Sequence, residues 1–178
     1  MKRNCKHTDE TFVHYKISKM ENSVIQFKRL LRFSGIFNIV GAFLFIVPKV
    51  YESYLSFFNR LNASMGLGGN DISIPSDIFH TLFINTAGID LVLIGVIVLA
   101  VSSDPLSRTN RFIILCNGIG RSVFAVIIGY YTACQGLIGV FAVIGGIDFL
   151  ITLGFIYYLL RTKRLAKNRS ACKTIPAN

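Results

Sequence analysis

Apolar residues in this chain gather into four long runs separated by polar links. The runs extend over about 30–47, 79–101, 112–131 and 136–160. About 20 consecutive apolar residues make a helix long enough to cross the hydrocarbon core of a bilayer. The pattern therefore predicts an all-α fold, a four-span transmembrane helical bundle. The first span is the shortest. Pro48 is expected to close it, because proline lacks the amide that a continuing helix needs. Ser76 or Asp77 is placed to cap the second span. Asp104-Pro105 marks a tight turn after it, and the uncharged link Thr132–Gln135 joins the third span to the fourth.

The remainder divides into two tails and one long loop. Residues 1–29 read as a cytoplasmic N-terminal tail, and residues 161–178 as a basic cytoplasmic tail with no acid. Residues 30–160 form the transmembrane domain. The loop 48–78 is predicted to lie on the outer side. Its first part, from Tyr51 to Leu61, is aromatic and amphipathic, which suits the membrane interface. A turn cluster follows at Gly66-Leu-Gly-Gly-Asn-Asp71. Tyr130, Tyr131, Tyr157 and Tyr158 stand at span ends, where tyrosine belts meet headgroups.

Charge orients the bundle. The segment up to Arg32 holds eight Lys and Arg, the 102–111 link two, and the C-terminal tail six. The outer loop holds only Lys49 and Arg60, and the 132–135 link none. With both termini cytoplasmic, sixteen positive residues lie inside against two outside. That satisfies the positive-inside rule, and an even number of spans returns the chain to its starting side.

Composition narrows the class. The chain is 52% hydrophobic and 16% charged, against roughly 25% charged in ordinary soluble domains. The net charge of +10 lies beside the apolar runs. The expected partners are therefore the bilayer and its anionic headgroups, not nucleic acid. Cys5, Cys116, Cys134 and Cys172 form no CxxC pair, and His7, His14 and His80 fall outside the middle of any span. No metal site, haem pair or other cofactor is expected. No nucleophile–base pair or phosphate loop appears, so no catalytic residue is assigned and an enzyme is not expected. A long polar segment precedes the first run, so no cleavable signal sequence is expected. Asn62-Ala-Ser64 fits the N-glycosylation triplet on the outer loop, which makes Asn62 a candidate acceptor.

The candidate chemistry lies inside the runs. Arg121 sits near the middle of the third, Asp90 of the second and Asp148 of the fourth. Each span also carries a stripe of small and polar residues at helical spacing. The stripes are Ser34, Asn38, Gly41 and Ala42; Thr86, Ala87 and Asp90; Asn117, Arg121 and Ala125; and Gly145, Asp148 and Thr152. Small residues let helices approach and polar ones bond across. All four stripes are therefore expected to face inward. Each mid-bilayer charge costs roughly 2.5–3.5 kcal/mol, which favours pairing. A planar guanidinium can hold two carboxylates. The expected core is Asp90–Arg121–Asp148, flanked by Asn38 and Asn117, with one negative charge left to be met by a proton, a cation or another donor.

Two motifs repeat. Gly88-Ile-Asp90 matches Gly146-Ile-Asp148, and Gly35-Ile-Phe-Asn38 parallels Gly118-Ile-Gly-Arg121. The repetition is what a duplicated helical hairpin would leave, with the long loop inserted in the first copy.

The order of these features resembles the small four-helix bacterial membrane proteins of the DoxX-like and BphX-like groups. The matching stretches are Ser34-Gly-Ile-Phe-Asn-Ile-Val-Gly41 with Pro48, Gly88-Ile-Asp-Leu with Gly95, Ser103-Asp-Pro105, and Gly-Ile-Asp-Phe in the fourth span. They cover about residues 30–164; the N-terminal tail and long outer loop depart from the compact members. The resemblance implies a bacterial inner membrane and, for some members, association with redox systems. Two readings of function stay open. In one, the polar core binds or conducts a small solute or proton. In the other, the chain is a structural or accessory subunit of a membrane redox or transport complex, and the ionic core only holds the helices together; a homo-oligomer, with the same residues lining a pore, is a further form of the first.

Overall fold

In a computed structural model, five helices carry the fold among the described residues: α1 (Lys6–Ile46), α2 (Val50–Met65), α3 (Ile78–Val101), α4 (Arg108–Gln135) and α5 (Gly139–Lys173). The structure describes the backbone of residues 6–47, 49–75 and 77–173. Pro48 and Ser76, the expected terminator and one of the two expected caps, lie outside the described residues, as do the side chains of most of 1–20 and of 164–178. Stretches within α1, α3, α4 and α5 are long and apolar enough to cross a membrane: Glu21–Ile46, 78–101, 108–135 and Gly139–Lys163. The first and last helices run on into the segments read as tails, so α1 starts well before Leu30 and α5 ends well after Leu160.

The apolar residues are distributed as lipid solvent demands. Val40, Ile78, Phe112, Val126 and Leu150 are exposed on the outside of the bundle. In water such a surface would be a liability; in hydrocarbon it is neutral, and small residues drive the packing instead. Gly35 of α1 and Gly95 of α3 meet back to back. A Cβ built on Gly95 would stand 2.8 Å from the Gly35 carbonyl oxygen, and one on Gly35 2.8 Å from that of Gly95. One hairpin is thus α1 with α3. The other is α4 with α5, where Gly118 admits Thr152 and Gly145 admits Ile128. The two hairpins join along α1 and α5, while α3 touches α4 only lightly.

The amphipathic stretch of the 48–78 loop forms α2, and its apolar face turns into the protein. Tyr51, Leu55 and Phe58 are buried with Ile138 and Val140. Lys49 makes the reversal from α1 into α2 with φ 71°, in the left-handed region. The turn cluster then binds the far hairpin: Asn70 N–H donates to Gly136 O at 2.7 Å, and Gly139 N–H to Gly68 O at 3.2 Å. Asp77 caps α3 by accepting from His80 N–H at 3.0 Å. That bond, with the neighbouring His80 ring, holds the Asp77 carboxyl below the usual carboxylate range.

Candidate functional site: a polar layer at one end of an apolar cavity

Arg121 is buried at the meeting of α1, α4 and α5. Its Nη1 donates to Asp148, the ion pair that joins the two helices of the second hairpin. Its Nε donates to Asn117 Oδ1 at 3.1 Å, one turn back on α4. Its Nη2 reaches α1, donating to Ser34 Oγ at 2.9 Å and to Asn38 Oδ1 at 2.5 Å. The guanidinium therefore ties three helices together, as its forked donors allow. Thr152, one turn beyond Asp148, donates to Gly118 O at 3.2 Å and completes the layer. Four of the five expected polar-core residues thus come together: Arg121, Asp148, Asn38 and Asn117.

Asp90 does not join them. It is exposed on α3, as are Thr86 and Ala87, so the second stripe faces outward while the other three face inward. The reason is helical phase. In α3 the packing glycine is Gly88, two residues before the aspartate. In α5 it is Gly145, three residues before, while Gly146 has nothing within 4 Å of a built Cβ. One residue of offset rotates a side chain by about 100°. The shared Gly-Ile-Asp motif therefore points in two different directions. With Asp90 outside, the core holds one arginine and one aspartate and is balanced in charge.

Asn62 also departs from expectation. It is buried, 5% exposed. Its Nδ2 donates to Gly68 O at 2.9 Å, and its Oδ1 accepts from Val140 N–H at 3.1 Å. In the folded chain this amide is a structural tie between α2 and α5 and offers no room for a glycan.

Beside the polar layer lies a cavity of about 700 Å³. Its walls come from all five helices. Arg121, Asn38, Asn117 and Asp148 form one end. Phe45, Tyr54, Phe58 and Phe141 form the other, with ring centroids 5.1 Å apart for Phe45 and Tyr54, 4.6 Å for Tyr54 and Phe58, and 5.3 Å for Phe58 and Phe141. Burial pushes the Tyr54 phenol up, so it stays neutral. The two ends can be placed along α3. Gly88 sits against Phe45, and a Cβ built on Gly95 would stand 3.2 Å from the Asn38 Cβ. Seven residues of helix separate those levels by about 10 Å. Leu91, Ile94 and Ile97 on α3 and Cys116, Gly120 and Phe124 on α4 line the cavity yet remain exposed. The cavity therefore opens sideways between α3 and α4, toward the lipid.

The aromatic end escaped the sequence reading. Its residues lie in the loop expected at the interface and near the facing ends of two spans, and only the inward turn of α2 unites them. The one available signal was the spacing of Tyr51, Leu55, Phe58 and Asn62, three to four residues apart, which marks a single buried face. Compared with protein-family models, with curated proteins and with solved structures, the chain matches none of them.

Proposed function

We propose that the chain is an integral membrane protein that takes a small, largely apolar molecule from the bilayer into the cavity between α3 and α4. The cavity carries this reading. Its volume lies within the roughly 300–1,000 Å³ of small-molecule sites, which combine apolar walls with a few convergent polar groups. Here the charged and amide groups are confined to one end, which favours a guest that is apolar along most of its length. The side opening supplies a path from lipid that does not cross water. Both termini face the cytoplasm, on the balance of basic residues.

The Arg121–Asp148 pair holds the bundle in this reading, since its partners already occupy most of the arginine's donors. That same closure favours the second reading, in which the chain is a structural or accessory subunit and the ionic core only joins helices. A filled cavity separates the two. Gly120 lines the cavity, and a Cβ there meets nothing within 4 Å, so Gly120→Leu fills space without forcing the helices apart. Purified wild-type protein in detergent is expected to bind the neutral fluorophore pyrene saturably. Gly120→Leu is expected to weaken that binding on the order of tenfold, about 1.4 kcal/mol, and Gly129→Leu, at an open site away from the cavity, to leave it unchanged. Absence of saturable binding to the wild type would overturn the cavity reading and leave the accessory one.

A further inference from the structure

Asp90 is the one charged residue within the apolar stretch of α3, and it is exposed. A carboxylate facing hydrocarbon is costly, about 2.5–3.5 kcal/mol at the bilayer centre. Such a residue calls for a partner. Among the described residues the mid-membrane cation, Arg121, is already paired with Asp148, so the fold supplies no positive charge to Asp90.

Its position relates it to the cavity. Asp90 precedes Leu91 and lies one turn from Ile94 and two from Ile97, all three of which line the opening from α3. Residues four and seven apart share a helix face. Asp90 therefore stands at the rim of the side entrance. Along the axis it is two residues, about 3 Å, from the level of Gly88, which is the level of the aromatic end. Phe37 and Phe124 add to Phe45, Tyr54, Phe58 and Phe141, so six aromatic rings line the cavity. Aromatic faces attract cations, more strongly where water is excluded. The other end of the cavity is charge-balanced, so it does not repel a positive guest.

We infer that the guest is a lipophilic cation, its charge held by Asp90 at the mouth and by the aromatic faces, its apolar body filling the cavity. The inference rests on the cavity reading and adds the charge of the ligand. Carboxylate, rings and opening are three separate features, and each suits a delocalised or shielded positive charge such as an aryl phosphonium or a hydrophobic quaternary amine. An anionic amphiphile would meet Asp90 on the way in and would find Arg121 already engaged.

The test compares two ions of the same shape. Tetraphenylphosphonium and tetraphenylborate differ in sign and little else. The full chain in detergent is expected to bind the phosphonium at least tenfold more tightly than the borate. Asp90→Asn is expected to remove most of that preference, and Asp90→Glu to keep it. Equal binding of the two ions, with pyrene still bound saturably, would overturn the cation inference and leave the cavity reading intact. A preference for the phosphonium that survives in Asp90→Asn would overturn the role of Asp90. Failure of all three probes to bind would remove the cavity reading and the inference with it.

Discussion

Arg121 ties α1, α4 and α5 together through four side-chain partners, Asn117, Asp148, Ser34 and Asn38. A guanidinium in the middle of an apolar run demands acceptors, and the chain offered only a few at the right depth. Asp148, Asn38 and Asn117 meet that demand, because each lies on a helical stripe of small residues that lets its helix approach. Asp90 has the same motif and the same place within its apolar run yet stays apart, because neither carries information about helical phase. The phase was set by which glycine packs, and two adjacent glycines at 145 and 146 left that choice to tertiary structure. The difference is measurable. Breaking a buried ion pair from one side leaves an uncompensated charge and costs roughly 3–5 kcal/mol. Arg121→Ala is therefore expected to lower unfolding stability in mixed micelles by about that amount. Adding Asp148→Asn should return part of it, whereas Asp90→Asn should show no coupling, as expected of residues without shared partners. Coupling of Arg121 to Asp90 equal to that with Asp148 would contradict the arrangement of the layer.

At the scale of elements, length and apolarity were enough to find the four long helices, since a run of this kind has no other stable form in a bilayer. Their ends were harder. α1 and α5 continue past the apolar runs into polar sequence, where the hydrophobic signal fades but nothing stops the helix. α2 was legible as amphipathic and illegible in its destination: an apolar face suits a membrane surface as well as a protein one, and the choice was made by Ile138 and Val140, far away in the chain. The contact of α1 with α3 depends on backbone approach. On Gly95 a Cβ would stand 2.7 Å from Ile39 Cγ1 and 2.8 Å from the Gly35 carbonyl oxygen. The carbonyl belongs to the helix and cannot swing aside as a side chain would. Gly95→Ala is expected to destabilise by about 1–3 kcal/mol, the usual range for overpacking. Gly129→Ala, at an open position on α4, is expected to be neutral or slightly stabilising, since alanine favours helix. Equal stability of the two variants in thermal unfolding would show that α1 and α3 do not meet through these glycines.

For the whole molecule, the two hairpins differ in what closes them. The second turns through a short link at Gly136, where the helix ends in a left-handed conformation with φ 71°. The first makes the same reversal through α2 and the glycine cluster. The longer route gives that end of the cavity its aromatic cover, and it binds the hairpins together through Asn62, Gly68 and Asn70. The longer connection thus roofs the space between the two hairpins. This makes topology a functional matter: the aromatic end belongs to the outer side and the basic ends to the cytoplasm only if the count of sixteen positive residues against two sets the orientation. Ser64 on α2 and Asp104 between α3 and α4 are both exposed and lie at opposite ends of the bundle. In a background with Cys5, Cys116, Cys134 and Cys172 replaced by serine, Ser64→Cys is expected to react with an impermeant maleimide added to intact cells. Asp104→Cys should react only after the membrane is opened. The reverse pattern would place the aromatic roof in the cytoplasm, and labelling of both from outside would break the even-span arrangement on which the four-helix reading depends.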